Sequence, residues 1–205
     1  LDCLDRKRIQ KALPGIERWL RLYHRVEYSG AQNLAGLEGP ALVVGNHSGG
    51  FMATDGLAFF SLFYQLKSEA PLYFLGHDIV FRESWSNQLL RAAGTVPARH
   101  DVALRAFERD KAFVMVFPGG DLDSFRPWSR RQDVIFGGRT GFMELAIQAR
   151  VPILSVATAG VQEQYLVFGG GEKLSRKLGL DRLLRVKSGY RDPSCRAFRH
   201  SAYEP

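Results

Sequence analysis

The sequence predicts a single α/β domain whose central sheet is largely parallel and flanked by helices. Short apolar segments rich in Val, Leu, Ile and Phe recur along the chain, and each is bounded by Gly or Pro. Segments with helical spacing lie between them, and strands that alternate with helices are typical of a parallel sheet buried on both faces. The chain has 205 residues, enough for one substantial core and too few for two of that size.

Each predicted element follows from local composition. Buried strands are predicted at residues 41–44, 72–75, 113–117 and 153–157. Helices are predicted at residues 55–66, 84–93, 102–110 and 141–150. Basic and apolar residues also alternate at helical spacing near the N-terminus, where Pro14 and Gly15 are expected to divide the segment into two short helices.

The positive charge lies at the two ends of the chain. The net charge is +7, of which residues 1–30 contribute +3 and residues 171–205 contribute +5, while residues 31–170 carry −1. We therefore predict a basic amphipathic helical segment over 1–30, the α/β domain over 31–170 and a basic extension over 171–205. The extension loses all periodicity towards its end, and we expect it to be poorly ordered.

The residues among these charges indicate what the basic ends bind. Trp19 and other apolar side chains recur among the basic residues of the first end, as in helices that lie at a membrane interface. Packing of this apolar stripe on the domain core is the alternative. No nucleic-acid-binding motif is present, so an anionic membrane surface is favoured over nucleic acid.

Composition excludes several other classes of protein. The two cysteines, Cys3 and Cys195, stand at opposite ends, which excludes a disulfide scaffold and indicates a reducing, cytoplasmic compartment. The five histidines lack metal-ligand spacing, so no metal site is expected. The longest apolar run, residues 56–66, is shorter than the ~20 residues needed to span a bilayer. No secretory signal is present, and because the first residue is Leu1 rather than Met, we expect a segment upstream.

The clearest candidate for catalysis is a histidine in the glycine-rich turn after the first predicted strand. His47 lies between Asn46 and Ser48, and Asp55 follows at the expected start of a helix. A histidine held by a carboxylate at one ring nitrogen keeps the other free as a general base. We predict His47 and Asp55 as a catalytic pair, and Asn46, Ser48 and Gly49 as substrate-binding residues. A loop histidine with ordinary partners and a helix cap are the alternatives.

A second glycine turn follows the third predicted strand. Gly119 and Gly120 free backbone N–H groups for a ligand or a developing oxyanion, and Asp121 follows directly. Arg126 supplies a fixed positive charge nearby, and Arg99 is a candidate for binding a substrate anion. We predict all five residues to bind substrate, with a tight turn and a surface salt bridge as the alternatives.

Together, these segments resemble the sequence blocks of the phospholipid/glycerol acyltransferase family. The matching blocks are residues 46–55, 94–99, 117–120 and 151–156, preceded in the last case by a helix-like segment over 141–147. The resemblance covers about residues 41–160. Residues 118–121 are more similar to the monoacylglycerol and diacylglycerol acyltransferase-like branch, because the lysophosphatidate branch usually has Glu where Gly119 stands.

The resemblance implies a glycerol-3-phosphate acyltransferase-like fold and the transfer of a fatty acyl group. The donor would be acyl-CoA or an acyl carrier protein, and the acceptor a hydroxyl of a glycerolipid or related lipid, with His47 as general base and no metal or redox cofactor. The expected partners are therefore acyl-CoA, the lipid acceptor and an anionic membrane to which the protein binds peripherally. Residues 56–66 are expected either to line an acyl-chain groove or to pack in the core.

Three features depart from the family pattern. Seven residues separate His47 from Asp55, where four are usual, and the family's usual Glu and Arg positions are altered. The family usually continues with further strands, whereas this chain ends in an irregular basic segment, so we expect it to be shortened or altered there. A lipid-binding module without catalysis and a hydrolase that activates water with the same pair remain alternatives.

Overall fold

The structure is a computed structural model, which describes residues 1, 4–50, 53–77, 81 and 84–164. The chain divides into two compact units, residues 1–167 and residues 168–205. The second unit, and with it the predicted basic extension over 171–205, lies outside the described residues.

The described residues of the first unit form a sheet of five parallel strands. Its strands are β1 (Ala41–Gly45), β2 (Leu72–Gly76), β3 (Thr95–Pro97), β4 (Phe113–Val116) and β5 (Ile153–Val156), in the order β3-β2-β4-β1-β5. The predicted α/β class with a parallel central sheet is confirmed. Strand β3 is absent from the prediction because three residues ending in Pro97 are too few to form a recognisable apolar run.

Helices connect the strands and cover both faces of the sheet. They are α1 (Arg6–Trp19), α2 (Ala31–Ala35), α3 (Thr54–Leu66), α4 (Ser84–Ala92), α5 (His100–Asp110), α6 (Gly120–Ser124) and α7 (Gly141–Ala149). A π-helical turn, Leu20–His24, extends α1, and short 3-10 turns cover Trp128–Arg130 and Gln162–Gln164.

Strand β1 divides the core between the two faces of the sheet. Leu42 and Val44 point to the face covered by α5 and α7, and Ala41 and Val43 point to the face covered by α1, α2 and α3. All four side chains are buried, as expected for a central parallel strand. Helix α3 packs into the second layer through its buried aromatic side chains Phe59, Phe60, Phe63 and Tyr64. Of the two expectations for residues 56–66, the packed core helix is therefore the one that the structure supports.

The prediction of two short N-terminal helices divided at Pro14 and Gly15 is wrong. Helix α1 continues through both residues because its apolar stripe packs on the domain core on either side of them. Ile9 is buried there, and Leu13 and Ile16 pack against the same cluster. Pro14 faces solvent, where water can satisfy the carbonyl that loses its helical donor. Burial of the stripe offsets the loss of that backbone hydrogen bond.

Candidate active site

The candidate site lies at the carboxyl end of β1, between its neighbours β4 and β5. Ligands of open parallel sheets bind at this edge, where loops from adjacent strands meet. The loop after β1 carries the predicted histidine, the loop after β4 carries the second glycine turn, and the loop after β5 closes the other side.

The structure brings His47 and Asp55 together. His47 Nδ1 lies 2.8 Å from Asp55 Oδ2. The Asp55 side chain is fully buried, whereas the His47 side chain is 18% exposed. The imidazole stacks on the ring of Phe117 with centroids 4.6 Å apart. Asp55 thus binds Nδ1 of the His47 ring, and the stacking contact with Phe117 fixes the plane of that ring.

Asp55 is held in its ionised form by a set of hydrogen bonds. The backbone N–H groups of Ser48 and Gly49 donate to Oδ2 at 2.7 and 3.2 Å, and that of Gly56 donates to Oδ1 at 2.8 Å. Burial alone raises the pKa of Asp55, but the bonds from His47 and from the Ser48 and Gly56 amides outweigh it. The pKa of Asp55 lies below its usual value, so the carboxylate is charged at neutral pH and accepts a hydrogen bond from Nδ1–H of His47.

The described residues between His47 and Asp55 bring the start of α3 back towards the His47 loop. The Ala53 amide donates to the Gly49 carbonyl at 3.1 Å, and Ala53 adopts a left-handed conformation with a φ of 45° directly before α3. A Cβ at Gly49 would lie 2.4 Å from the Thr54 amide nitrogen. Glycine at position 49 therefore lets the start of α3 approach the loop closely enough for Asp55 to reach the imidazole.

Asn46 and Ser48 point into the protein and stabilise the loop. Asn46 Nδ2 donates to the Thr158 carbonyl at 2.8 Å, and its Oδ1 accepts from the Thr158 amide at 2.7 Å. The same Nδ2 donates to Ser48 Oγ at 3.0 Å. The loop after β1 is thereby tied to the loop after β5. Both side chains, predicted to bind substrate, are buried in supporting positions.

Arg126 also turns inwards rather than towards a ligand. Its side chain is 3% exposed and forms an ion pair of 2.8 Å with the fully buried Asp123. All three guanidinium nitrogens donate to protein oxygens, among them the Arg131 carbonyl and Ser48 Oγ. The structure thus places the Arg126 guanidinium beneath the His47 loop, with its donors directed to protein oxygens. Sequence reasoning missed Asp123, although its position three residues before Arg126 is a signal for pairing.

The second glycine turn is braced from outside by an arginine that the sequence did not single out. Arg139 donates to the carbonyls of Pro118 and Gly119 at 3.2 and 3.0 Å and pairs with Asp121 at 3.0 Å. Asp121 remains largely exposed. The Gly120 amide donates to the Phe117 carbonyl within the turn at 3.0 Å, which leaves Gly119 as the amide to consider for an oxyanion.

Arg99 lies at the same edge of the sheet but away from the His47 loop. It follows β3, which is three positions from β1 in the sheet. Because neighbouring strands lie about 4.8 Å apart, this places it about 14 Å from the strand that carries His47. Its side chain is 66% exposed and pairs with Asp101. Arg99 is thus apart from the catalytic candidates, at a separation that only an extended substrate would bridge.

The π-helical turn after α1 reaches the candidate site through two hydrogen bonds. Gln164 Nε2 lies 2.9 Å from His24 Nδ1, and Gln164 Oε1 accepts from Thr54 Oγ1 at 3.3 Å. Thr54 directly precedes Asp55. The turn Leu20–His24 therefore lies at the same edge of the sheet as His47, and π-helical turns are frequent at functional sites.

Comparison with known proteins decides the family. A family model described as acyltransferase matches residues 25–159, which include the His47 loop, the glycine turn and β5. The chain belongs to the acyltransferase family. The resemblance drawn from the sequence blocks is confirmed, and the matched residues include all five strands that the structure describes.

Relatives of the chain occur in mycobacteria and in Gallus gallus. An uncharacterized protein of Mycobacterium bovis is 30% identical over 171 residues, and one of Mycobacterium leprae is 28% identical over 168 residues. A protein of Gallus gallus named "DGAT1/2-independent enzyme synthesizing storage lipids" is 27% identical over 158 residues. These alignments cover 77–82% of this chain and 45–46% of the relatives. The chain thus spans slightly less than half the length of the curated relatives it matches. No solved structure gives a significant match.

The described residues contain neither a membrane-spanning helix nor a cluster of metal-binding side chains. None of the helices formed by these residues is both long enough and apolar enough to cross a bilayer. Within the same residues, His, Cys, Asp and Glu side chains form no group of three or more that would hold a metal ion.

Proposed function

We propose that the protein transfers a fatty acyl group from acyl-CoA or an acyl carrier protein to a hydroxyl of a glycerolipid or related lipid. The observation that carries the proposal is the contact of 2.8 Å between His47 Nδ1 and the buried carboxylate of Asp55. Family membership supports acyl transfer, and the printed name of the Gallus gallus relative supports a lipid product.

His47 acts as general base through its second ring nitrogen. Because ionised Asp55 accepts a hydrogen bond from Nδ1–H, the neutral imidazole has its lone pair on Nε2. The acceptor O–H bond breaks as its proton passes to Nε2, and the oxygen bonds to the thioester carbonyl carbon. The tetrahedral oxyanion then collapses, the C–S bond breaks, and the leaving thiolate takes the proton from Nε2. The histidine returns to its starting state without a covalent enzyme intermediate.

Three other groups assist in this proposal. The Gly119 amide stabilises the oxyanion, since the Gly120 amide is engaged within its own turn. Arg99, exposed at the same edge of the sheet, binds a phosphate of an extended donor such as acyl-CoA. Phe117 fixes the orientation of the imidazole by stacking on it.

The test is acyl transfer from radiolabelled acyl-CoA to a panel of acylglycerols and lysophospholipids. His47→Ala is expected to lower the rate by a factor of ~10²–10⁴, as for loss of a proton-transfer group, and Asp55→Asn by a smaller factor. His100→Ala and Glu69→Gln, both at exposed positions, serve as matched controls and should keep the wild-type rate. Full activity of His47→Ala would overturn the mechanism.

The products of the same assay decide between the proposal and its alternatives. Release of free fatty acid without acylated acceptor, lost in His47→Ala, would identify a hydrolase that activates water. Lipid binding without turnover in wild type would identify a module that lacks catalysis. Transfer to the acceptor, dependent on His47, supports the acyltransferase.

We further propose that the acceptor is a neutral alcohol such as an acylglycerol. The carboxylate of Asp121 is exposed at the glycine turn, and Arg126 is directed away from it into the core. At this turn the charge of Arg139 is already neutralised by its ion pair with Asp121, so it offers little attraction to a phosphate dianion. We expect kcat/KM for monoacylglycerol to exceed that for lysophosphatidate, and Asp121→Asn to narrow the difference while Asp133→Asn does not. Equal kcat/KM values in wild type would contradict the preference.

We also propose that the protein binds peripherally to an anionic membrane. The π-helical turn next to the site exposes Leu22 and Tyr23, whose side chains are flanked by exposed Arg18, Arg21 and Arg25. Apolar side chains among basic ones are typical of interfacial helices. The cytoplasmic location expected from the cysteine content belongs to the same proposal.

A further inference from the structure

Both backbone polar groups of His47 are bound by one buried ion pair. The His47 amide donates to Asp123 Oδ2 at 2.6 Å, and its carbonyl accepts from Arg126 Nη1 at 3.3 Å. The same Nη1 donates to Asp123 Oδ1 at 2.8 Å. Because the two side chains are 0% and 3% exposed, water does not compete for these bonds.

The polar atoms of the pair are extensively bonded to other protein groups. Asp123 Oδ1 also accepts from the Ile135 amide at 2.9 Å. The guanidinium further donates from Nη2 to Ser48 Oγ at 3.0 Å and from Nε to the Arg131 carbonyl at 3.1 Å. Burying two charges carries a large desolvation cost, and apolar side chains of similar volume often stabilise a fold equally well. A gain in stability is therefore a weak explanation for the presence of this ion pair. Its contacts with the His47 backbone give a more specific explanation, which is that it positions His47.

The loop that carries His47 needs an external support of this kind. It contains Gly49 and Gly50, and glycine backbones have many accessible conformations. A carboxylate on the N–H and a guanidinium on the C=O together fix the two peptide planes on either side of the His47 Cα. With Asp55 on Nδ1, the imidazole is anchored at its backbone and at its tip.

We propose that Asp123 and Arg126 are positioning residues that hold His47 in its reactive orientation. They act through the His47 backbone and leave the substrate to other groups, and the proposal rests on the function proposed for His47. The proposal also accounts for the glycine at position 119, since a Cβ there would lie 2.4 Å from the Asp123 Cβ. Gly119 lets the turn of α6 close so that Asp123 reaches the His47 amide.

The first test is Asp123→Asn, which keeps the size of the side chain but not its acceptors. Both Asp123 oxygens accept from N–H donors, so the amide NH₂ must face one of them and break one half of the support. We expect kcat to fall at least tenfold while KM for acyl-CoA changes less than twofold. Asp133→Asn is the matched control, because Asp133 belongs to an exposed Arg130–Asp133 pair with the same spacing, and it should retain the wild-type kcat.

A second variant and a second measurement keep the test decisive. Arg126→Lys retains the charge but reaches fewer acceptors, so a smaller fall in kcat is expected, and it replaces Asp123→Asn if that variant does not fold. NMR of ¹⁵N-labelled histidine reports the ring directly. We expect wild-type His47 to carry its proton on Nδ1, and a folded Asp123→Asn variant to show a mixture of tautomers.

The outcomes separate this proposal from the proposed function. A folded Asp123→Asn or Arg126→Lys variant with wild-type kcat and an unchanged histidine spectrum would overturn the positioning role, even if His47→Ala is inactive. If the wild-type protein transfers no acyl group, the proposed function fails. In that case the NMR spectrum alone decides the positioning role. A changed His47 spectrum in Asp123→Asn supports the proposal that Asp123 and Arg126 hold the His47 backbone, and an unchanged spectrum overturns it.

Discussion

Asp55 is a carboxylate with no exposed surface, and its charge is tolerated only because donors surround it. His47 and the amides of Ser48, Gly49 and Gly56 all direct hydrogen bonds to its two oxygens. Charge-assisted bonds of this kind favour the ionised form over the neutral one. The same contacts that orient the imidazole therefore make the fold depend on pH.

At the residue scale, we predict that Asp55 contributes to the loss of stability in acid. Its pKa in the folded protein lies below the usual 3.8 of the unfolded chain. The stabilisation from its ionised form is thus fully present above about pH 4 and is lost as the pH falls through the lower folded pKa. Asp55→Asn removes this component, so the free energy of unfolding should fall less steeply below pH 4. Urea unfolding of wild type and variant from pH 7 downwards measures this, and parallel curves would contradict it.

The sequence was informative about residue types at the site and less so about where their side chains point. The His47 and Asp55 pattern predicted two residues that the structure brings into contact, because the turn chemistry around them is local. In the sequence, Arg126 is a reasonable candidate for binding an anion. In the structure, its guanidinium is buried because it binds Asp123 and the His47 carbonyl. His47 lies 79 positions before Arg126, and a hydrogen bond between residues so far apart leaves no pattern in a single sequence.

At the element scale, strand and helix positions followed from composition, while helix continuity depended on tertiary packing. The predicted strands agree with β1, β2, β4 and β5 to within one residue, since short apolar runs bounded by Gly or Pro are typical of strands in this class. The expected burial of β5 is wrong, because it lies at the end of the strand order and its side chains are alternately exposed and partly buried. Helix α1 passes through Pro14 and Gly15, which local propensity alone assigns to a break. Burial of Ile9 and packing of Leu13 and Ile16 outweigh that propensity.

Because Gly15 lies inside a continuous helix, we predict that Gly15→Ala stabilises the protein. A Cβ there meets no atom within 4 Å, and replacing a helical glycine by alanine gains roughly 0.5–1 kcal/mol. For a domain of this size, the melting temperature should rise by about 2 °C. Gly49→Ala is the contrasting variant, because its Cβ would lie 2.4 Å from the Thr54 amide, and it should destabilise the protein. A lower melting temperature for Gly15→Ala would show that α1 is interrupted after all.

At the scale of the whole molecule, charge and the candidate site lie on the same side. Residues 31–170 carry a net charge of −1, while residues 1–30 carry +3. The π-helical turn of that segment is linked to Thr54, and so to the start of α3, through Gln164. A membrane bound by Leu22 and Tyr23 would therefore meet the edge of the sheet where His47 lies. An acceptor dissolved in that membrane could reach the general base without leaving the bilayer surface.

We accordingly predict that the protein floats with anionic liposomes and that salt weakens this binding. Each basic residue near such a surface contributes ~1 kcal/mol, and the attraction is screened beyond about 10 Å at 0.1 M salt. Reversing two charges, Arg21→Glu with Arg25→Glu, should lower the partition coefficient roughly tenfold or more.

The control for this prediction is Arg105→Glu, which reverses an exposed charge on α5, across the sheet from α1. It should bind anionic liposomes much more strongly than the double variant does, because α5 lies on the opposite face of the sheet from α1 and the π-helical turn that we propose to meet the membrane. Liposomes of neutral lipid, tested at the same salt concentrations, separate charge from apolar insertion. Equal flotation with neutral and anionic liposomes would show that the basic residues are not the cause of binding. Equal losses for Arg105→Glu and for the double variant would show that net charge acts without the π-helical turn.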